Sequence, residues 1–432
     1  MATFYQFFLA ILISFAQVVF VLSKGYFLSL EFTLYPYLIS HGFVPYKGLL
    51  DQHFPSLFFG AFSLPLLSST NPTPLLLLFL SLLFFTNLLF YRYLKIKKTQ
   101  HPLLWLLLFV IVMAYFSVNI LWVETFINFL LVIFLNLSLA QTKFSKFLMG
   151  LILSQILLLR PTLAPCLIAL IFLYKTLNLE LTLGFITGIF VSFGYLLFQN
   201  NFTDFIQLAI VFNSSTYAKA SVLFPTTRQL FFVGLLLGLS FLNTLRSQKW
   251  LAFLVICLSL LASFPRFGLE HLQPFVLLVV LTLSQSYHFS KWLLYLVIML
   301  FSAQILFGLR LHRYGNYFWQ PHLYPLAQKL TNLPGPEIYL FGASDLLYPL
   351  SNKLPPGKLY LPSLPWYLNY PPYQTALLSS LKSSPAPVLV DTNFSVDGQK
   401  LINSSPQIYE YIKMNYNLVE TEGSFELYIK NQ

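Results

Sequence analysis

From residue 3 to residue 309 the chain is a succession of apolar runs rich in Leu and Phe, parted only by short polar breaks. The whole sequence is 57% hydrophobic and 9% charged, whereas soluble domains carry about 25% charged residues. One aqueous core cannot hide so many runs, so lipid must be the solvent for most of the chain. The runs fall at 3–23, 73–94, 102–118, 124–141, 147–159, 162–174, 178–198, 229–245, 250–264, 271–287 and 291–309. Several are shorter than the roughly 20 residues of a perpendicular crossing. The expected fold is an all-α polytopic membrane bundle of about eleven transmembrane helices, with outer-side juxtamembrane or re-entrant helices. The first run has neither a basic leader nor an Ala-x-Ala-like cleavage site, and is expected to be retained.

Basic residues fix the sides. Arg92–Lys98, Lys143 with Lys146, Lys175, Arg246 with Lys249, and Lys291 fall on one side if the apolar stretch Pro55–Thr70 does not cross, and this side is then the cytoplasmic one. Residues 54–70, broken by Pro65 and followed by Pro72 and Pro74, are accordingly expected as an interfacial or re-entrant hairpin on the outer side. The N-terminus then lies inside and the C-terminus outside. The outer face receives Glu31, Asp51, His53, Glu124, Arg160, Asp204, Lys219, Arg228, Arg266, Glu270 and His271, and the inner face has the single acid Glu180. Chemistry is expected outside.

After residue 309 the runs shorten, Pro and Tyr cluster, and eight of the fourteen acids appear. Residues 1–309 are therefore read as the membrane domain and 310–432 as a small extracytoplasmic α/β cap. Strands are expected at Glu337–Phe341, Leu359–Leu361, Val388–Val390 and Leu418–Glu420, and helices near Leu346–Leu350, Gln374–Leu381 and Ile408–Met414. Tyr416–Thr421 and Phe425–Ile429 read as a hairpin turning at Glu422-Gly423-Ser424.

Three function classes fall away. The net charge of +11 is scattered through loops rather than gathered in a stripe, which argues against a nucleic-acid partner. Cys166 and Cys257 each sit alone in an apolar run, where a thiol behaves as a small hydrophobe. No glycine-rich phosphate loop is present.

Two segments carry chemistry. In the first, Glu31 stands just beyond the first run, Gly42-Phe43-Val44-Pro45-Tyr46 follows, and Asp51-Gln52-His53-Phe54-Pro55 enters the hairpin. This resembles the first outer loop of the C-type glycosyltransferases, polytopic enzymes such as protein O-mannosyltransferases and aminoarabinose transferases that use polyprenyl-phosphate sugars. The second, Arg266-Phe267-Gly268-Leu269-Glu270-His271-Leu272-Gln273-Pro274, resembles the Arg-x-x-x-x-His-x-x-Pro arrangement before a late span in that superfamily.

The resemblance implies an inverting transfer of a sugar from a polyprenyl-phosphate donor to an acceptor on the extracytoplasmic side of a plasma or inner membrane. The acceptor, whether protein, lipid or glycan, is not specified. A displacement at an anomeric carbon needs a base beside the acceptor hydroxyl, and Glu31 is assigned that role. Relatives often carry two adjacent acids here; the first position in this chain is Leu30, so Asp51 or Glu124 is the candidate second carboxylate. His53 is a candidate cation for a phosphate or an acid of the site, or a tie between hairpin and loop. Arg266 suits a lipid phosphate, because its planar fork meets phosphate oxygens two at a time. Arg160, Arg228 and His271 are further candidates for the donor, with pairing of Arg160 to Glu124 as the structural alternative for that arginine. Two acids and a histidine could also coordinate Mg²⁺ or Mn²⁺.

Competing readings are a transporter or flippase of lipid-linked sugars and an envelope oligosaccharide ligase or polymerase. The first calls for polar residues near the midplane and related halves. No such repeat is evident. The stretch Asn200–Gln229 is expected to be a long outer loop gating the donor entrance. Asn213-Ser214-Ser215 matches a glycosylation sequon.

Overall fold

The computed structural model describes residues 2–29, 31–59, 73–285, 291–311 and 323–431. The chain is predominantly helical, and a helix occupies each apolar run: Ala2–Lys24, Thr73–Ile96, Pro102–Tyr115, Val123–Leu137, Lys143–Leu159, Ala164–Tyr174, Leu179–Phe198, Thr227–Ser247, Trp250–Leu261, Gln273–Ser284 and Lys291–Leu311. Phe4–Lys24, Thr73–Ile96, Leu179–Phe198 and Thr227–Ser247 are long and apolar enough to cross a membrane by length and composition. Six further apolar helices run 10–17 residues. Phe190, Phe198 and Phe172 are exposed on the outside of the bundle, which is the pattern of helices solvated by lipid.

Local chemistry sets the helix ends. The Thr142 hydroxyl accepts from the Ser145 amide at 3.1 Å, and the Asn178 side chain accepts from the Leu181 amide at 2.9 Å. Thr226 and Gln229 form a reciprocal capping box. Each satisfies amides that the first turn leaves unpaired.

Helices Lys143–Leu159 and Leu179–Phe198 pack closest, through Gly150 with Ser154 on one and Gly184 with Gly188 on the other. A Cβ on Gly184 would land on the Phe147 carbonyl, and one on Gly188 on the Ser154 hydroxyl. In lipid, where no hydrophobic force pushes helices together, small residues four apart allow this backbone approach.

The helix ends sort into two groups. At one end Lys95 meets Gln6, Arg92 meets Asn136, Tyr93 meets Tyr174 and Gln285, and Lys249 reaches the Gln285 carbonyl. At the other, strand β1 (Phe27–Leu28) pairs in parallel with β2 (Ile120–Leu121), and the cap is docked.

The cap contains a four-stranded mixed sheet. Strand β3 (Tyr339–Phe341) runs parallel to β4 (Val388–Asp391), with the helix Pro371–Ser383 between them in sequence. Strands β5 (Ser395–Val396) and β6 (Gln399–Lys400) form a separate small hairpin. The sheet is completed by β8 (Phe425–Lys430) against β4 and β7 (Tyr416–Glu422) at the edge. The β7–β8 hairpin turns at Gly423, whose φ of 61° is costly for residues with a Cβ.

Two expectations change. Leu359–Leu361 is not a strand of this sheet; Tyr360 instead bridges to Leu49, with its amide donating to Gly48 O at 2.7 Å and its carbonyl accepting from Leu50 at 3.0 Å. That pairing stitches the cap to the first loop and takes the segment away from β3. The stretch after residue 200 is not an open loop either. It folds as Phe202–Phe205, a π-helix over Ile206–Tyr217 and a short turn at Ala218–Ala220. Phe212 stacks on Tyr367 of the cap at 5.2 Å, and Asn213 Nδ2 donates to Gln52 O at 2.9 Å. Its aromatic and amide contacts pay for the backbone order. The same bond engages the side-chain amide of the half-buried sequon asparagine. Of the hairpin expected over 54–70, Ser56–Phe59 is one helical turn, and residues 60–72 lie outside the described residues.

Candidate functional site

Glu31 opens the helix Glu31–Ser40. The β1–β2 pair fixes its place: the Phe27 amide donates to Asn119 O at 2.9 Å and the Ser29 amide to Leu121 O at 3.3 Å. Asn119 Nδ2 returns a bond to Gly25 O at 2.9 Å. The chain after the first helix is therefore clamped beside the chain entering Val123–Leu137, which brings Glu31 and Glu124 to the same end of the bundle. Phe32 packs on Trp122 and Phe126. The Ser29 hydroxyl donates to Glu31 Oε2. Burial pushes the Glu31 carboxyl above the usual range, and Ser29, the local backbone amide and the His53 charge offset it only in part.

Asp51 and His53 form a close pair. Asp51 Oδ1 lies 2.5 Å from His53 Nδ1 and 2.7 Å from the His53 amide, and Tyr35 donates its hydroxyl to Oδ2. Burial would raise the Asp51 carboxyl, but the His53 charge and these bonds win and hold it below its ordinary value. Burial would likewise lower His53, and Asp51 with Glu31 outweigh it, so the imidazole is raised. The His53 ring stands edge-on to Trp122 at 5.3 Å. Both oxygens of Asp51 are thus engaged. His53 is thus paired to an acid of its own loop.

Glu124 is fully buried and ion-paired to Arg160. His271 Nδ1 lies 2.8 Å from Glu124 Oε1 and 3.1 Å from an Arg160 nitrogen, so its tautomer decides which of the two contacts is a hydrogen bond. Arg160 also donates to Ala262 O at 3.3 and 3.2 Å, and Thr162 to the same carbonyl at 2.8 Å. The second Glu124 oxygen has no hydrogen-bond partner among the described residues. One turn along, Asn128 donates to Gln273 at 3.3 Å. Glu270 lies 3.6 Å from His271 Nε2.

Arg266 follows a cis Phe264–Pro265 bond, and its two neighbours are bound to Leu223, whose amide donates to Pro265 O and whose carbonyl accepts from the Phe267 amide, 3.1 Å each. Its guanidinium bonds both oxygens of Asp397 at 3.0 and 2.9 Å, and sits 5.7 Å from the Trp366 ring centre. Asp397 lies between β5 and β6, so the late arginine meets the cap rather than Glu31. Arg228 stands over the Tyr115 ring at 5.7 Å, and its neighbour there is not one of the acids.

The groups are nonetheless continuous. His53 feels both Glu31 and Arg160, and His271 feels Arg160, Glu270, Arg266 and His53. Seven of the eight residues singled out from the sequence fall in this one network, and Arg228 is the exception. Among the described residues no group of three or more His, Cys, Asp and Glu is arranged to hold a metal ion. Glu31, Asp51 and His53 are joined by charge and hydrogen bonds.

The residues missed by sequence reasoning come mainly from the cap. Asp345 accepts from the Tyr360 hydroxyl at 2.8 Å, and burial, together with the Glu31 charge, raises its carboxyl to about 7. Tyr360 packs against Tyr35, 6.2 Å between ring centres, and Tyr367 accepts from the Gln52 amide at 2.9 Å. Eight scattered acids in the tail offered no motif by which to choose Asp345; a Tyr-rich cap facing an acid-bearing loop was the only available signal. No protein-family model matches this chain, and no curated protein matches it.

Proposed function

We propose that the chain is a membrane glycosyltransferase that moves a sugar from a polyprenyl-phosphate donor to an acceptor hydroxyl on the extracytoplasmic side. On this reading all eleven apolar helices cross or enter the membrane, with the N-terminus inside and the cap outside. The grouping of Arg92, Lys95 and Lys249 at the end of the bundle opposite Glu31 supports that orientation.

The observation that carries the proposal is the division of labour among the carboxylates. Asp51 and Glu124 are buried and tied to cations or donors, whereas Glu31 is partly exposed and, among the described residues, has Ser29 alone as a side-chain hydrogen-bond partner. A general base needs a raised proton affinity and an oxygen not committed to a cation; burial raises the Glu31 carboxyl, and no ion pair ties it among the described residues. Asp51 then orients His53 and Tyr35, and Glu124 anchors Arg160 and His271. In the reaction the acceptor oxygen forms its bond to the anomeric carbon, the bond from that carbon to the phosphate oxygen breaks with its electron pair, and Glu31 takes the hydroxyl proton. The departing lipid phosphate is met by Arg266, with Arg160 and His271 behind it. Arg228, over the Tyr115 ring, has no part in this step.

The test is a panel of polyprenyl-phosphate sugars presented to the purified protein in nanodiscs, with product detected by mass. Transfer from one donor class supports the reading. Movement of intact donor between leaflets without transfer would replace it with a flippase.

A further inference from the structure

The cap meets the first loop through Tyr360 and Tyr367, and meets Arg266 separately through the excursion between β4 and Leu401. In that excursion the two-residue strands β5 and β6 turn at Asp397 and Gly398, whose φ values are 51° and 81°. Positive φ at both central residues suits the twist of a tight hairpin and sets Asp397 at its tip. The root is tied to the cap. The Asn393 amide donates to Asp391 Oδ1, Lys400 Nζ to Asn393 Oδ1 and the Leu401 amide to Phe394 O, each at 3.0 Å. From Asp397 to Lys400 the hairpin is exposed. Among the described residues its one polar link to the membrane domain is the pair of bonds from Arg266 to Asp397, 3.0 and 2.9 Å. Arg266 is the anchored partner: both its neighbours are bonded to Leu223, and its guanidinium carbon sits 5.7 Å from the Trp366 ring centre.

We propose that the β5–β6 hairpin is a latch whose Asp397 carboxylate competes, within the chain, with a lipid phosphate for Arg266. The identity of the ligand rests on the transferase reading. A carboxylate and a phosphodiester each offer two oxygens and one negative charge to the guanidinium fork, so one excludes the other. The pair is exposed and correspondingly weak, which lets an incoming phosphate displace it. A short, exposed hairpin with few buried contacts is also the kind of element that opens locally. Because it is tethered, the carboxylate stays at high effective concentration and returns when the phosphate leaves. The polyprenyl phosphate left after transfer meets the same competitor, which speeds its release.

The experiment reads binding and hairpin position without turnover, on the full chain in nanodiscs, with polyprenyl phosphate as the probe and polyprenol as the phosphate-free control. D397N should bind polyprenyl phosphate about two- to five-fold more tightly than wild type, and R266A at least about tenfold more weakly. Polyprenol should show no such order. Spin labels at Q399C and K219C, with C257A to keep labelling specific, report the tip against the outer segment by double electron–electron resonance. Polyprenyl phosphate should move the wild-type distance distribution to the one D397N shows without ligand, and polyprenol should not. Equal affinity in wild type and D397N, undiminished binding by R266A, or an unmoved tip at saturating polyprenyl phosphate would each overturn the latch. Tip displacement in a chain that turns over no donor keeps the latch and sinks only the transferase. Transfer with an unmoved tip does the reverse.

Discussion

Arg266 and Asp397 hold each other through two hydrogen bonds of 3.0 and 2.9 Å, one from each terminal guanidinium nitrogen to each carboxylate oxygen. This is the geometry in which arginine also meets a phosphate. The carboxylate of Asp397 thus occupies the donor face of Arg266. The pair is partly solvent-exposed, with Asp397 about two-fifths accessible, so each partner contributes little to stability.

If Arg266 receives the lipid phosphate, that phosphate must displace Asp397. D397A should lower the donor KM, by about two- to five-fold if the pair is worth on the order of 0.5–1 kcal/mol. R266A should reduce kcat/KM by about 10- to 100-fold, the value of a hydrogen bond to a charged group, and R266K should recover only part of it. Steady-state kinetics against donor concentration separates these outcomes; an unchanged KM in both variants would remove Arg266 from the donor site.

The Glu124–Arg160 pair lies in a buried setting, where losing one partner leaves the other charge stranded. R160M should destabilise the fold by about 3–5 kcal/mol, while R160M combined with E124L should be far milder. Thermal unfolding in detergent, read as a double-mutant cycle, measures the difference. Equal losses in the single and double variants would show that the pair is not what matters there.

His53 and Asp51 carry an explicit pH signature. Asp51 is held below its ordinary 3.8, so its contribution is present above that pH and fades as acid protonates the folded carboxylate. His53 is raised above 6.5, so its contribution is complete below that pH and is lost as the pH rises through the folded value. Their attraction is therefore strongest between about pH 4 and 6.5. H53Q should cost about 1 kcal/mol more at pH 5.5 than at pH 8.5. Chemical denaturation at the two pH values checks this, and an equal cost at both would contradict the pairing.

Close packing of Lys143–Leu159 on Leu179–Phe198 depends on Gly184 and not on Gly194, which has open space around it. G184L should abolish recovery of monodisperse protein, whereas G194L should leave it near wild type. Size-exclusion chromatography distinguishes them. Equal tolerance at both positions would refute the tight interface.

Much of this arrangement was legible because it is local. Apolar length and the spacing of Lys and Arg mark the helices, and Gly423 marks the final hairpin. Glu31, Asp51 and His53 lie within 23 residues of one another, so their sequence pattern carried their proximity. What escaped was non-local. The β1–β2 clamp is two residues long on each side and joins positions 93 apart. Tyr360 has the apolar neighbours of a strand but spends its backbone on Gly48 and Leu50. The π-helix over Ile206–Tyr217 is mostly aliphatic up to Phe212 and polar from Asn213 to Thr216, without a clear period, and its order comes from Tyr367, Tyr370 and Gln52. Asp397 and Asp345 looked like ordinary tail acids, since nothing along the chain reveals which loop a cap residue will touch.

The central claim is that Glu31 removes the acceptor proton. It is tested most directly by single-turnover transfer from the active polyprenyl-phosphate sugar, comparing wild type with E31Q at saturating donor. We expect the chemical step to slow by about 10²- to 10⁴-fold in E31Q with donor binding intact. Transfer by E31Q at the wild-type rate would contradict the account.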